Sequence, residues 1–68
     1  MKYAVNRVDG EITEVIGSVV FYEGHADIAD NLIEAINMAI DYRVINTARM
    51  LEIDIDYIMK ELKNAKNS

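Results

Sequence analysis

His25 is the only histidine of the chain, and Glu23, Asp27 and Asp30 stand within five residues of it. A cluster of this kind invites a metal reading. Its spacing matches no ligand motif, however, and one His without any Cys is too few for a transition-metal site built on nitrogen and sulfur. His25 reads instead as a loop residue ahead of a helix. Of the two serines, Ser18 lies in a strand-like stretch and Ser68 is terminal, so no nucleophile–base arrangement emerges. There is no Gly-rich phosphate loop, and nothing pairs two carboxylates in an apolar pocket. The expectation is a protein with no catalytic site, no cofactor and no metal.

Recognition chemistry is better represented. Asp27, Asp30, Glu34 and Asp41, with Asn37, recur at helical spacing and would form a narrow acidic stripe. Its ordinary reading is a solvated helix face. Its functional reading is a docking face for a basic partner protein, or a mimic of DNA charge. Arg49, Lys60 and Lys63 are the cations placed to meet phosphates if the partner is nucleic acid. The charge balance disfavours that partner. Residues 1–42 carry two basic side chains against eight acidic ones, and residues 43–68 carry five against four. A nucleic-acid binder usually presents a basic field over its contact face. Tyr22, Tyr42 and Tyr57 are candidate interface anchors, since aromatic residues are enriched in binding hot spots.

The elements that must position these residues can be read from the apolar pattern. Residues 2–8 and 11–16 flank Asp9-Gly10, a strong hairpin signal. Pairing Arg7 with Glu11 sets Val5 against Thr13 and Tyr3 against Val15. Gly17 reads as a bulge or tight bend before a further strand-like run at 18–22. Ile12, Ile16, Val20 and Tyr22 would then share a second apolar face of the sheet. Either the strand twists around the core, or this face meets a second copy of the chain.

A first long helix is expected over residues 26–42, with Asp27 as N-cap and Ile28, Leu32, Ala35, Ile36, Ala39 and Ile40 as its buried face. A second helix follows from 44 or 46 to 52. A third spans 55–65, capped by Asp54 and buried through Ile55, Ile58, Met59 and Leu62. Residues 66–68 read as a fraying tail.

The segment Ala48 to Asp54, followed by Ile58 and Leu62-Lys63, has the spacing of a helix-turn-helix. Ala48 fills the small position in the first helix, Leu51 and Ile53 the turn, and Ile58 and Leu62 the anchors. Over residues 35–64 it resembles the C-terminal DNA-binding motif of the Fis family, a resemblance carried by Ala48, Leu51, Ile53, Ile58, Leu62 and Lys63. The resemblance implies a tight helical pair and, by extension, DNA binding through residues 46–63. The chain departs from that pattern at Glu52, where the family has Gly. It also departs at Asp54, Ile55 and Asp56, where the family's recognition helix opens with polar or basic residues. Recognition helices read bases from their N-terminal end, and the two aspartates are accounted for by helix capping alone.

Sixty-eight residues make one small domain, with 1–23 as the β-hairpin region and 26–65 as the helical region. A chain of this length buries only about 60% of its unfolded surface. Without Cys there is no disulfide to reinforce it, which leaves oligomerisation as the common remedy. The N-terminal residues contain no apolar signal core, and the absence of Cys fits a reducing cytoplasm. The sequence thus predicts an α+β fold, an N-terminal hairpin or short meander followed by two or three helices. The C-terminal pair is helix-turn-helix-like. It points to a small cytoplasmic regulatory or adaptor protein acting through protein contacts as a homodimer, with a DNA-binding regulator as the alternative.

Overall fold

Asn6 organises the first turn. In the computed structural model, which describes residues 1–67, its side-chain oxygen accepts the backbone N–H groups of Val8 (2.8 Å) and Asp9 (3.3 Å). The Asp9 carboxylate in turn accepts the N–H of Glu11 at 2.8 Å. These bonds hold residues 7–10 as a four-residue loop, closed by Gly10 N–H to the Asn6 carbonyl. The flanking strands are β1, Tyr3–Asn6, and β2, Ile12–Glu14, paired antiparallel with Val5 opposite Ile12 and Tyr3 opposite Glu14. This is one residue away from the expected register, which set Val5 against Thr13. A one-residue slip turns a strand over. It brings Ile12 onto the same face as Val5 and Tyr3.

The run at 18–22 is not a strand. The chain bends out of the sheet at Gly17 (φ +83°), and Val20–Glu23 forms a single helical turn, α1. Ser18 Oγ accepts the Val20 N–H, and the Val19 carbonyl takes the N–H groups of Tyr22 and Glu23. The next four residues, Ala26–Ala29, were expected to open a helix. They form strand β3 instead, paired antiparallel with β1 to give the order β2-β1-β3. The helix cannot begin earlier because its cap is Asn31, not Asp27. Asn31 is extended (φ −153°) and its side chain accepts the Glu34 N–H at 2.9 Å, while the Glu34 carboxylate receives the Asp30 N–H at 3.4 Å. The arrangement resembles a capping box, with the Glu34 carboxylate reaching one residue beyond the cap, to Asp30 rather than Asn31. The alanines upstream of it are left to fill the open edge of β1, a tertiary preference that outweighs their helix propensity.

Helix α2, Leu32–Met50, is continuous through residues 42–46, where the sequence reading placed a break. It contains neither Gly nor Pro, and nothing stops it until residue 51. There Glu52 takes φ +58°, its N–H bonds to the Arg49 carbonyl, and Ile53 N–H bonds to the Ala48 carbonyl at 2.8 Å. This is a Schellman termination with Glu in the position Gly normally occupies. Helix α3, Ile55–Asn67, opens with the Asp54 carboxylate accepting the Asp56 N–H, as expected of an N-cap. It outruns the expected end at 65, so residues 66 and 67 are helical. Lys66, in the last turn, forms an ion pair with Asp41 of α2. Ser68, the end of the expected tail, lies outside the described residues.

The buried residues are small. Among the described residues Ala4, Val5, Ala26, Ala29, Ala35, Ala39 and Ala48 make up the buried apolar set, and Val5 is the only fully buried side chain larger than alanine. Val5 and Ala29 of the sheet meet Ala35 and Ala39 of α2, with Tyr3, Ile12, Met38 and Tyr42 packed around them. The helix lies so close to the hairpin loop that a Cβ on Gly10 (φ +73°) would sit 2.7 Å from the Ala39 carbonyl oxygen.

Two backbone substitutions test this arrangement in opposite directions. Gly10→Ala forces both a left-handed alanine and a backbone clash, and should cost at least about 2 kcal/mol in urea unfolding. An unchanged midpoint would show that the helix does not rest on the loop. Glu52→Gly relieves the left-handed residue and should stabilise by about 1 kcal/mol, raising Tm by roughly 4–8 °C. A lower Tm would contradict the Schellman assignment.

Candidate interaction surface

Packing α2 through alanines determines what it leaves outside. Ala35 and Ala39 face the sheet. Ala48, Asp41 and Ile45 lie on the flank that meets α3, where Ile45 and Asp41 share a shallow hollow with Met59, Leu62, Lys63 and Lys66. The remaining side of the helix carries Ile33, Ile36, Ile40, Val44 and Thr47, and then Leu51 just beyond its end. These positions recur every three or four residues and therefore line up. Ile33 is 68% exposed, Ile40 53% and Leu51 65%. No charged residue interrupts the row. At its C-terminal end the row runs into a groove of about 350 Å³ between α2 and α3, lined by Val44, Thr47, Ala48, Leu51, Ile53 and Ile58, with Arg43 at its edge.

The helical periodicity predicts Ile36 and Ile40 in the core beside Ala35 and Ala39. The structure separates them, because where the helix passes closest to the sheet and the hairpin loop its inward positions are Ala35 and Ala39, with Met38 and Tyr42 packed beside them. A signal was present. Residues 32–51 hold more large apolar side chains than one buried face can use, set beside a separate alanine row at 35 and 39.

The sheet face expected to carry a dimer does not exist in that form. Ile12 turns into the core with Val5. Ile16, 79% exposed, and Val20, also exposed, lie beyond the strands altogether. Tyr22 is half-buried, and its hydroxyl accepts the Ile16 N–H at 3.3 Å, tying down the loop after β2. On the reverse face α1 packs over β3, and Ala4, Asn6, Glu11, Thr13, Phe21, Tyr22, His25 and Ala26 enclose a hollow of about 260 Å³. The strand residues lining the hollow are small or polar, and the apolar side chains on this face are Ile28 and Phe21 rather than the expected Ile12, Ile16 and Val20.

Nor do the four acidic residues form a helical stripe. Asp27 belongs to β3 and Asp30 precedes the helix. Each of the four has an internal partner. Asp27 accepts Arg7 Nε at 2.8 Å and the Tyr42 hydroxyl. The same Arg7 donates to the carbonyls of Glu23 (2.8 Å) and Ala26 (3.0 Å), so one guanidinium clamps α1 and β3 to the end of β1. Asp30 pairs with Lys2 at 3.1 Å in an exposed bridge, Glu34 completes the helix cap, and Asp41 pairs with Lys66. Among the described residues no three acidic or His side chains converge in a way that could hold a metal ion.

Of the cations considered for phosphate contact, Arg49 is exposed near the end of α2, and Lys60 and Lys63 are exposed on α3. Asp56, Lys60 and Lys63 follow at four- and three-residue spacing, so this face of α3 mixes signs. Among the described residues no helix is long and apolar enough to cross a membrane. Neither family models, nor curated proteins, nor solved structures give a match to this chain.

The Asp27 node yields a direct test. Tyr42→Phe removes the hydroxyl while leaving the Arg7–Asp27 pair, and should cost about 1 kcal/mol in equilibrium unfolding. A loss within experimental error would mean that α2 is not held through this bond.

Proposed function

We propose that this chain is a small non-enzymatic regulatory or adaptor protein of the cytoplasm, working through protein contacts as a homodimer. The observation that carries this reading is the uncharged row of Ile33, Ile36, Ile40, Val44 and Leu51 on the outer side of α2. Contiguous apolar surface of this kind on a small domain marks an interaction site. The acidic residues contribute less to contact, since capping and internal pairing engage them. Asp30, whose carboxylate is the most open among those in ion pairs, is the one best placed to meet a basic group on a partner.

A second reading is supported by the buried Ala48 at the crossing of α2 and α3 and by the tight turn through Glu52. It makes residues 46–63 a DNA-binding helix-turn-helix, with Arg49, Lys60 and Lys63 as phosphate contacts. The two readings separate in a salt titration. Fluorescence anisotropy with duplex DNA at low salt should show no association if protein contact is the function. Affinity that falls steeply with salt, and is lost in Lys60→Ala or Lys63→Ala, would transfer the assignment to DNA binding. In the same buffer, light scattering should return about twice the 7.7 kDa of one chain.

A further inference from the structure

We infer that the dimer forms through the outer face of α2, with two copies of the helix packed antiparallel about a twofold axis near residue 42. This inference rests on the homodimer reading above and names its interface.

Three observations converge on a second copy as the occupant. The first is area. A folded monomer of 7.7 kDa exposes about 4300 Å² by the usual mass scaling, whereas this chain exposes 4983 Å², an excess of roughly 650 Å². A standard interface buries about 800 Å² per partner, so one such face accounts for the surplus. The second is shape. The molecule measures 37 × 26 × 13 Å, with a radius of gyration of 12.9 Å against about 11 Å for a compact chain of this length. The two long helices form one layer on one face of the sheet, with only the single turn α1 on the other, and the outer side of that layer is open. Stacking two copies through it gives sheet–helix–helix–sheet, with helices covered on both sides.

The third is spacing. A twofold contact must be complementary to itself, residue i meeting j while j meets i. The row at 33, 36, 40, 44, 47 and 51 meets this condition when the helices run antiparallel. Ile33 falls beside Leu51 of the other copy, Ile36 beside Thr47, and Ile40 beside Val44. The row itself contains no charge, and Arg43 at its edge is turned to the hairpin loop, where its Nε donates to the Asp9 carbonyl. Antiparallel packing also sets the two helix dipoles in opposition, which favours the arrangement.

The chain has no cysteine, so introduced thiols report the pairing cleanly. A chain carrying Ile33→Cys is mixed with one carrying Leu51→Cys and oxidised gently. Antiparallel pairing predicts a cross-linked heterodimer. It also predicts no cross-linking of either variant alone, because two copies of residue 33 would be separated by about 27 Å along the axis. Self-cross-linking of Ile33→Cys at comparable yield would overturn the antiparallel geometry.

Ile40→Glu, at a half-exposed position outside the core, should convert the dimer to a folded monomer with an unchanged circular dichroism spectrum. A dimer that survives this substitution overturns the interface while leaving the dimer reading intact. A wild-type chain that is monomeric at high micromolar concentration overturns both. Should Ile40→Glu fail to fold, Ile33→Glu on the first turn of the helix serves in its place, with the same two outcomes.

Discussion

The contact between α2 and the β1–β2 loop governs the rest of the molecule. Gly10 has no side chain, and the Ala39 carbonyl fills the space a Cβ would take. Arg43 lies over the same loop and donates from Nε to the Asp9 carbonyl at 3.2 Å, so the helix is located by a polar contact as well as a steric one. At this separation the fully buried contacts of the helix with the sheet are alanines, with Met38 and Tyr42 packed at their edge, and among the described residues Val5 is the one larger side chain fully enclosed. Close packing without voids is favourable per atom. It also buries little apolar area, and the isoleucines that would supply more are displaced to the opposite side of the helix.

Charge and apolar surface consequently take roles opposite to those their sequence pattern suggests. The acidic residues look like a binding stripe, yet they act within the fold. Asp27 joins β1, β3 and α2 through Arg7 and Tyr42, and Glu34 and Asp54 help begin the two long helices. Exposed ion pairs such as Lys2–Asp30 add little stability, but the hydrogen bonds at helix starts and at Asp27 satisfy backbone and hydroxyl groups that need partners. The isoleucines of α2 look like a core, yet they lie on the surface. The alanine contact buries little apolar area, and the open helix face carries what the fold leaves out, which is the surface the proposed dimer would cover.

The α+β class and the N-terminal hairpin followed by helices were legible in the sequence, and so was the Asp54 cap of α3. These depend on local patterns: strand-like runs around Asp9-Gly10, helical periodicity, and a carboxylate before a helix. The features that were not legible depend on partners distant in sequence. Ala26–Ala29 is a strand because β1 has an open edge, although Asn31, three residues before Glu34, marks the true helix start. Val19 to Tyr22 is β-prone by composition, yet the bend at Gly17 directs it out of the sheet. The hairpin slipped by one residue because Asn6 and Asp9 extend the loop beyond the Asp-Gly pair. The division of α2 into an alanine face and an isoleucine face was present as an excess of apolar positions. Deciding which row faced inward required knowing how closely the helix approaches Gly10.

The alanine contact leaves the isoleucine face of α2 open in one chain, and the proposed dimer covers it. Solvent paramagnetic relaxation of the isoleucine methyl groups, followed across protein concentration, tests this residue by residue. Protection should develop at Ile33, Ile36 and Ile40 as concentration rises, while Ile16 stays accessible and Ile12 is shielded throughout. Protection that develops at Ile16 instead, or no change at any of the three helix positions, would contradict the account.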